Sequence, residues 1–339
     1  MILNDIRWGI IGCGNVTEVK SGPPLQLTPH SSLMAVMRRN SALAMDYAQR
    51  HHVPKWYSNA DELIYDPDVN AVYIATPPDT HLEYAVKAML AGKPVYVEKP
   101  MCRTYSECLE MLKVSEETGI PVFVAYYRRA LPGFLKVKEL VESGAVGSVR
   151  LVNVRFYRPM KNDLVGSDLP WRLLPEISGG GLLFDLASHT LDFLDYVFGP
   201  IGKIKANAFN QADCYVAEDI VLANWQHEFG VAGTGSWCFT TSDNNIVDEV
   251  EIIGERGRII FSTFEFSPVV LDNINGHQEF PFEKPLHVQS YLMANIVASL
   301  RGDGESPSTG KTAARTNRVL DKMVKKYYRK DSLREFRPV

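Results

Sequence analysis

The sequence predicts an α/β protein with an amino-terminal Rossmann-type, doubly wound parallel sheet. A carboxyl-terminal α+β domain with a large, mostly antiparallel sheet follows it. Three observations carry this. Strands alternate with helices through the first 125 residues, strands later follow one another without helices between them, and a glycine-rich turn stands directly behind the first strand. A length of 339 residues favours two domains, 1–125 and 126–339, with the terminal helices available to pack back on the first. Hydrophobic content of 45% is enough for two cores, and a net charge of -4 gives no ground for a nucleic-acid partner or an anionic membrane surface. Cys13, Cys102, Cys108, Cys214 and Cys238 are scattered with no C-x-x-C pair, which points to a reduced, cytoplasmic chain. The start lacks a basic and apolar leader pattern, and no apolar run reaches membrane-spanning length.

Ile6 to Ile11 is the first strand, and it feeds Gly12-Cys13-Gly14-Asn15-Val16-Thr17, a dinucleotide fingerprint with its third glycine replaced. The first glycine allows a tight turn, and the second lets backbone approach a pyrophosphate at a helix amino terminus. The motif is weak alone and gains meaning from its place behind an opening strand. Ser21-Gly22-Pro23-Pro24 should break the next helix near Gly22, since proline lacks the N–H and clashes with the preceding turn. Leu33 to Met37 is the second strand and ends at Arg38 and Arg39, where an NAD-preferring unit carries an acid for the ribose hydroxyls. Two guanidiniums there suit a 2'-phosphate; the alternative is a pair of exposed arginines opening a loop.

Ala42 to His51 reads as helix and Ala71 to Ala75 as strand. Thr76-Pro77-Pro78-Asp79-Thr80-His81 then forms a turn in which Asp79 or Thr80 caps a helix running to Leu90. Val95 to Pro100 is a buried strand stopped by proline, leaving Glu98 and Lys99 at its carboxyl end, where open α/β sheets hold ligands. Two charges carried out of an apolar strand need polar partners, though a solvated ion pair is the plain alternative. A helix from Tyr105 to Glu117 and a strand from Pro121 to Ala125 complete the first domain.

The pattern changes at Tyr126-Tyr127-Arg128-Arg129, of which Tyr126 and Arg128 are candidates for substrate contact. A helix from Phe134 to Glu142 precedes strands at Val149 to Tyr157, Lys203 to Phe209, Ile220 to His227, Val231 to Phe239 and Glu249 to Phe261. The last is a hairpin turning at Glu255-Arg256-Gly257. Helices from Val288 to Leu300 and Ala313 to Tyr328 close the chain. One face of this sheet is available for self-association, and a homodimer or homotetramer through it is expected. Within this domain Gly179-Gly180-Gly181 bring backbone close to something, and the helix behind them sets Asp185 and His189 four residues apart on one face. That pair suits proton transfer or substrate orientation. An ordinary polar pair and half of a metal site compete, and with no third ligand nearby no metal is expected.

With Gly12-Cys13-Gly14, Thr76-Pro77, Glu98-Lys99-Pro100 and Gly179-Gly180-Gly181 through Asp185 and His189 in this order, the sequence resembles the Gfo/Idh/MocA oxidoreductase family over essentially its whole length. The resemblance implies that Gly12, Gly14 and Asn15, with Val16 beside them, hold the pyrophosphate, and that Thr76, Pro77 and His81 line the nicotinamide side. It also implies that Glu98 meets a cofactor ribose, Lys99 meets the reacting oxygen, and Asp185 and His189 form the substrate-site pair. Trp171-Arg172 is similar to 1,5-anhydro-D-fructose reductases, which use NADPH. That likeness places both residues with the cofactor, in agreement with Arg38 and Arg39. Thr17 and the Gly22-Pro23-Pro24 break depart from the family pattern.

The expected function is an NADP(H)-preferring oxidoreductase, with NAD(H) as an alternative cofactor. It passes hydride between the nicotinamide and a sugar, polyol or related small hydroxy or keto compound. Lys99, His189 and Asp185 are the catalytic candidates. Lys99 polarises the oxygen, His189 moves the proton and Asp185 orients, with Lys99 and His189 able to exchange roles. A dinucleotide-binding regulator and an NAD-using redox glycosidase are the rivals. The joint presence of Lys99, Asp185 and His189 opposes the first, and the paired arginines oppose the second.

Overall fold

Six short strands pair in parallel to make the first sheet: β1 (Ile6–Ile11), β2 (Ser31–Met37), β3 (Lys55–Tyr57), β4 (Ala71–Ile74), β5 (Val95–Val97) and β6 (Val122–Val124), in the order β3-β2-β1-β4-β5-β6. They belong to a computed structural model that describes residues 2–160 and 169–331. Its two units are Met1–Leu131 with Lys284–Ala314, and Pro132–Glu283 with Arg315–Val339. Side chains alternate along the central strands, so Ile6, Trp8, Ile10 and Tyr96 enter one apolar cluster while Ile11, Ile74, Val95 and Val97 enter another on the opposite face. Burial on both faces is why these strands read as continuous apolar runs. The strand order reverses between β1 and β4, and loops leaving the carboxyl ends of such neighbours form the ligand crevice of open α/β sheets.

The expected helix break is present: Asn15–Val19 and Gly22–Leu27 are separate helices. A Cβ on Gly22 would stand 2.2 Å from the Thr17 carbonyl oxygen and 2.5 Å from the Tyr47 hydroxyl, so this turn admits only glycine. β3 and the helix Ala60–Ile64 went unanticipated, because Lys-Trp-Tyr is three residues long and only partly buried and so lacks the periodic signal. Thr80 does occupy the cap position before His81–Leu90, but the capping expectation fails. Its hydroxyl donates to Thr76 Oγ1 at 2.8 Å instead of accepting a helix N–H, and Asp79 lies within the preceding 3₁₀ turn Pro78–Thr80.

The second unit is built on β7 (Val149–Pro159), β8 (Ile201–Phe209), β9 (Ile220–His227), β10 (Ala232–Thr241), β11 (Val247–Gly254), β12 (Gly257–Phe261), β13 (Val269–Asn273) and β14 (Gly276–Phe280), in the order β14-β13-β12-β11-β7-β10-β9-β8. All neighbours are antiparallel except β7 and β10. Val152, Val154, Phe156, Trp237, Phe239, Val250 and Ile252 turn to the buried face. The helices Pro132–Glu142 and Ser188–Phe198 supply Phe134 and Phe193, which meet edge to face at 4.8 Å, and Phe134 also meets Phe261 at 5.8 Å. The other face is mixed, with Tyr157 bonded to Ser236 at 2.7 Å and Thr234 to Asn153 at 3.0 Å beside the exposed Phe209 and Leu222. β13 and β14 were not anticipated, although Asn275-Gly276 at their turn is a hairpin signal in the sequence and Gly276 has φ +108°.

His227 is almost fully buried on β9 in an arrangement that suits the neutral ring. Nδ1–H donates to the Gly199 carbonyl at 2.7 Å, and Nε2 accepts from Trp225 Nε1–H at 3.1 Å. Burial holds its pKa below the ordinary 6.5. The unfolded chain therefore takes up the proton first, so this contribution to stability is full above about pH 6.5 and is lost as pH falls from there toward the lowered folded value. Buried His81 has a shift of the same sign. Melting temperature should drop between about pH 7.5 and about pH 5.5, and His227→Gln should reduce that drop without abolishing it. An unchanged slope in the variant would show that the ring does not govern acid sensitivity.

Candidate active site

β1 ends in a turn fixed by backbone bonds, with the N–H groups of Gly12 and Cys13 both donating to the Met37 carbonyl of β2 at 2.9 and 3.2 Å. Gly12 has φ +92°, and a Cβ there would lie 2.7 Å from Thr76 Cγ2 and 2.9 Å from Thr76 N, so the loops after β1 and β4 touch where only hydrogen fits. Gly14 differs. A Cβ on it would meet nothing nearer than the Gly12 carbonyl oxygen at 3.8 Å. The chain leaves that space open beside the start of helix Asn15–Val19, which is the place a pyrophosphate needs. Thr17 replaces the third glycine without cost, because its buried hydroxyl turns back to the Gly14 carbonyl at 2.8 Å. Cys13 is buried beneath the turn, and burial pushes its thiol up to about 11. Arg38 and Arg39 are exposed at the end of β2, and Arg38 Nη1 lies 3.5 Å from the Cys13 carbonyl oxygen.

Glu98 and Lys99 follow β5, as expected. Glu98 is 8% exposed, and its partners come from elsewhere in the first unit. Oε1 accepts from Tyr73 Oη–H at 2.7 Å and from Gln289 Nε2–H at 2.8 Å, while Oε2 accepts from the Lys99 N–H at 3.2 Å. Burial raises the Tyr73 and Tyr96 phenols well above their ordinary range, so both remain neutral donors. Lys99 precedes a cis bond to Pro100 and is partly exposed. His81 is fully buried: Nε2 faces the Thr76 carbonyl at 2.8 Å, and Nδ1 faces the Pro100 and Met101 carbonyls, both at 3.2 Å. It braces the Thr76-Pro77 and Lys99-Pro100 loops from within. Tyr126 and Arg128 are also buried, with the Arg128 guanidinium 4.9 Å from the Tyr127 ring centre.

In the second unit each glycine of the triplet has its own cause. Gly179 has φ +88°, a Cβ on Gly180 would lie 2.3 Å from the Phe184 ring, and one on Gly181 would lie 2.9 Å from both Ala217 Cβ and the Glu218 carbonyl oxygen. What these glycines approach is therefore the protein itself. Glu218 fixes the turn, its Oε1 accepting from Gly181 N–H at 2.8 Å and its Oε2 from Tyr328 Oη–H, and burial pushes its carboxyl above the ordinary range. The expected regular helix beneath Asp185 is a π stretch, Leu183–Ala187, which becomes α-helical at Ser188. Such widened turns cluster at functional sites. Asp185 Oδ2 accepts from Arg172 Nε–H at 3.0 Å, and that guanidinium stacks 4.3 Å from the Trp171 ring, so the Trp171-Arg172 and Asp185 motifs form one cluster. His189 is 4% exposed and meets Phe264 edge to face at 5.7 Å. Sequence reasoning missed Glu218, Gln289 and Tyr73; only Glu218 left a trace, as one of two adjacent acids opening an apolar strand.

Residues 6–126 match the family model described as an oxidoreductase family with an NAD-binding Rossmann fold, and residues 134–260 match the GFO/IDH/MocA C-terminal domain. The chain is 38% identical to Oxidoreductase P35 of Formosa agariphila over 93% of this chain and 97% of that protein. It is 25% identical to 1,5-anhydro-D-fructose reductase of Ensifer adhaerens over 90% of this chain and 91% of the relative. Levoglucosan dehydrogenase, solved in complex with NADH and levoglucosan, superposes with a TM-score of 0.84 at 20% identity, covering 96% and 98% of the two chains, and shares the fold.

The two glycines of the first turn predict opposite phenotypes. Gly12→Ala forces an L side chain into positive φ against Thr76 and should destabilise by about 1–3 kcal/mol. Gly14→Ala should leave the melting temperature near the parent value and weaken binding of the reduced nicotinamide cofactor at least tenfold, about 1.4 kcal/mol, in a fluorescence titration. If Gly14→Ala bound that cofactor normally, the open space would not be the pyrophosphate cradle.

Proposed function

The chain belongs to the GFO/IDH/MocA oxidoreductase family and is an NAD(P)-dependent dehydrogenase or reductase acting on CH–OH groups, and from that premise we propose that it prefers NADP(H) and acts on a sugar, polyol or related small keto or hydroxy compound. The reading rests chiefly on Arg38 and Arg39, two exposed guanidiniums beside the glycine turn where an NAD-preferring unit would carry an acid. The named activities of the 1,5-anhydro-D-fructose reductase and of levoglucosan dehydrogenase support the substrate class. In this reading Gly12, Gly14, Asn15 and Val16 hold the pyrophosphate, Glu98 meets a ribose, Thr76, Pro77 and His81 line the nicotinamide side, and Trp171 and Arg172 belong with the cofactor. Bound nicotinamide supplies or accepts the hydride.

The protein's own task is to position the carbon and manage the proton. Lys99 presents an ammonium to the charge that grows on the substrate oxygen. His189 exchanges the proton, and Asp185, already tied to Arg172, orients a hydroxyl. Self-association through the open face of the second sheet completes the proposal.

Replacing Arg38 and Arg39 together by serine should weaken NADPH by more than about tenfold, since each hydrogen bond to a charged group contributes about 1.5–3 kcal/mol, and should change NADH little. Equal loss for the two cofactors would defeat the NADP assignment. With a sugar ketone or polyol that turns over, Lys99→Ala should keep NADPH affinity and lose about a hundredfold or more in kcat, the scale of removing one oxyanion donor. His189→Ala should in addition remove a titration from the pH–rate profile. An unaltered profile would take the proton-transfer role away from His189.

A further inference from the structure

We propose that Gln289 is a positioning residue of the cofactor site, holding the Glu98 carboxylate in the one orientation that offers Oε2 to a ribose hydroxyl. The inference rests on the reading of Glu98 as a cofactor residue. An ionised carboxylate has about four acceptor positions, and three are filled here: Tyr73 and Gln289 both donate to Oε1, at 2.7 and 2.8 Å, and the Lys99 N–H donates to Oε2 at 3.2 Å. The remaining capacity is on Oε2, so the two donors to Oε1 decide which oxygen faces a ligand. The Gln289 amide cannot turn over without loss, because its oxygen accepts from Tyr96 Oη–H at 2.5 Å while its NH₂ serves Glu98. Tyr96 is in turn stacked on Tyr73 at 4.7 Å, which closes a ring of four side chains of which the Glu98 carboxylate is one.

The backbone of Gln289 is anchored on both sides. Its carbonyl opens the helix Ser290–Arg301 by accepting from Met293 N–H at 2.9 Å, and Leu292, Met293 and Ile296 of that helix are wholly buried in the cluster that holds Trp8 and Tyr96. Its N–H donates to the Lys20 carbonyl at 3.4 Å, and His287 Nδ1 lies 2.5 Å from the Val19 carbonyl oxygen. Lys20 and Val19 end the short helix behind the glycine turn. Gln289 thus ties the end of the pyrophosphate-binding helix to the ribose-binding carboxylate, although it lies 191 residues beyond Glu98 in the chain. A general packing role would affect every ligand of the first unit alike. A positioning role is confined to the part of the cofactor that carries the nicotinamide-side ribose.

The test uses two fragments of the cofactor on the full chain: 2'-phospho-ADP-ribose, which contains that ribose, and adenosine 2',5'-bisphosphate, which does not. Gln289→Met should weaken NADPH and 2'-phospho-ADP-ribose by about tenfold and leave the bisphosphate within about twofold of the parent, and Tyr73→Phe should do the same to a lesser degree. In a Glu98→Gln background, Gln289→Met should add less than about a twofold further loss, because the group it positions has already changed. Equal weakening of both fragments, full additivity with Glu98→Gln, or unchanged binding in both single variants would overturn the proposal. Failure of the parent itself to bind either nicotinamide cofactor would overturn the functional reading along with it.

Discussion

A carboxylate carried to the end of a fully buried strand must be solvated by the protein, because an unpaired ionised acid costs several kcal/mol in such surroundings. Glu98 imposes that requirement on the first unit, and the strand order meets half of it: β4 lies beside β5, so Tyr73 lies within reach. The other half comes from the segment that re-enters this unit late in the chain. His81 answers the same need for the neighbouring loops, whose carbonyls face inward and are bridged by its ring. The carboxyl edge of the sheet is thereby stiffened from beneath, which leaves its upper surface available for a ligand.

The second unit reaches a comparable stiffness by a different route. Its triplet of glycines allows backbone to lie directly against Phe184 and Glu218, and a widened helical turn then presents Asp185 to Arg172. Behind it, Thr190, Asp192 and Asp195 on the helix Ser188–Phe198 each bond a fixed partner: Thr263 at 2.9 Å, Thr316 at 3.2 Å and Arg315 Nε at 3.0 Å. The polar side chains along this buried helix are anchors, which limits how far His189 can move from the position its first turn assigns it.

Local pattern made much of this legible. Gly12, Glu98, Lys99, Asp185 and His189 stand at the ends of strands or at the head of a helix, where a few neighbouring residues reveal their setting. Periodicity likewise revealed β1, β9 and the β11–β12 hairpin within a residue or two. The parts that escaped depend on distant contacts. Gln289 is an unremarkable glutamine until a hydrogen bond joins it to Glu98, and Glu218 gains its meaning from a glycine 37 residues earlier. The regular helix expected under Asp185 failed for a related reason, since the π turn, whose Phe184 ring lies against Gly180, leaves no periodic trace. The bracing contacts of His81 likewise emerge only from its burial and from the carbonyls of Thr76, Pro100 and Met101 that face its ring.

The helix Ser290–Arg301 also fixes when the first unit can complete its core. Residues 2–131 leave the ribosome with the side of their sheet that bears Ile6, Trp8 and Tyr96 lacking Leu292, Met293, Ile296, Val297 and Leu300. More than 150 further residues must be synthesised before those side chains arrive, and at about 5–20 residues per second this face stays open for several seconds or more. Through that interval the nascent sheet carries an uncovered apolar surface that a chaperone can recognise, and the amino-terminal segment reaches its final stability only when the carboxyl-terminal third of the chain has emerged.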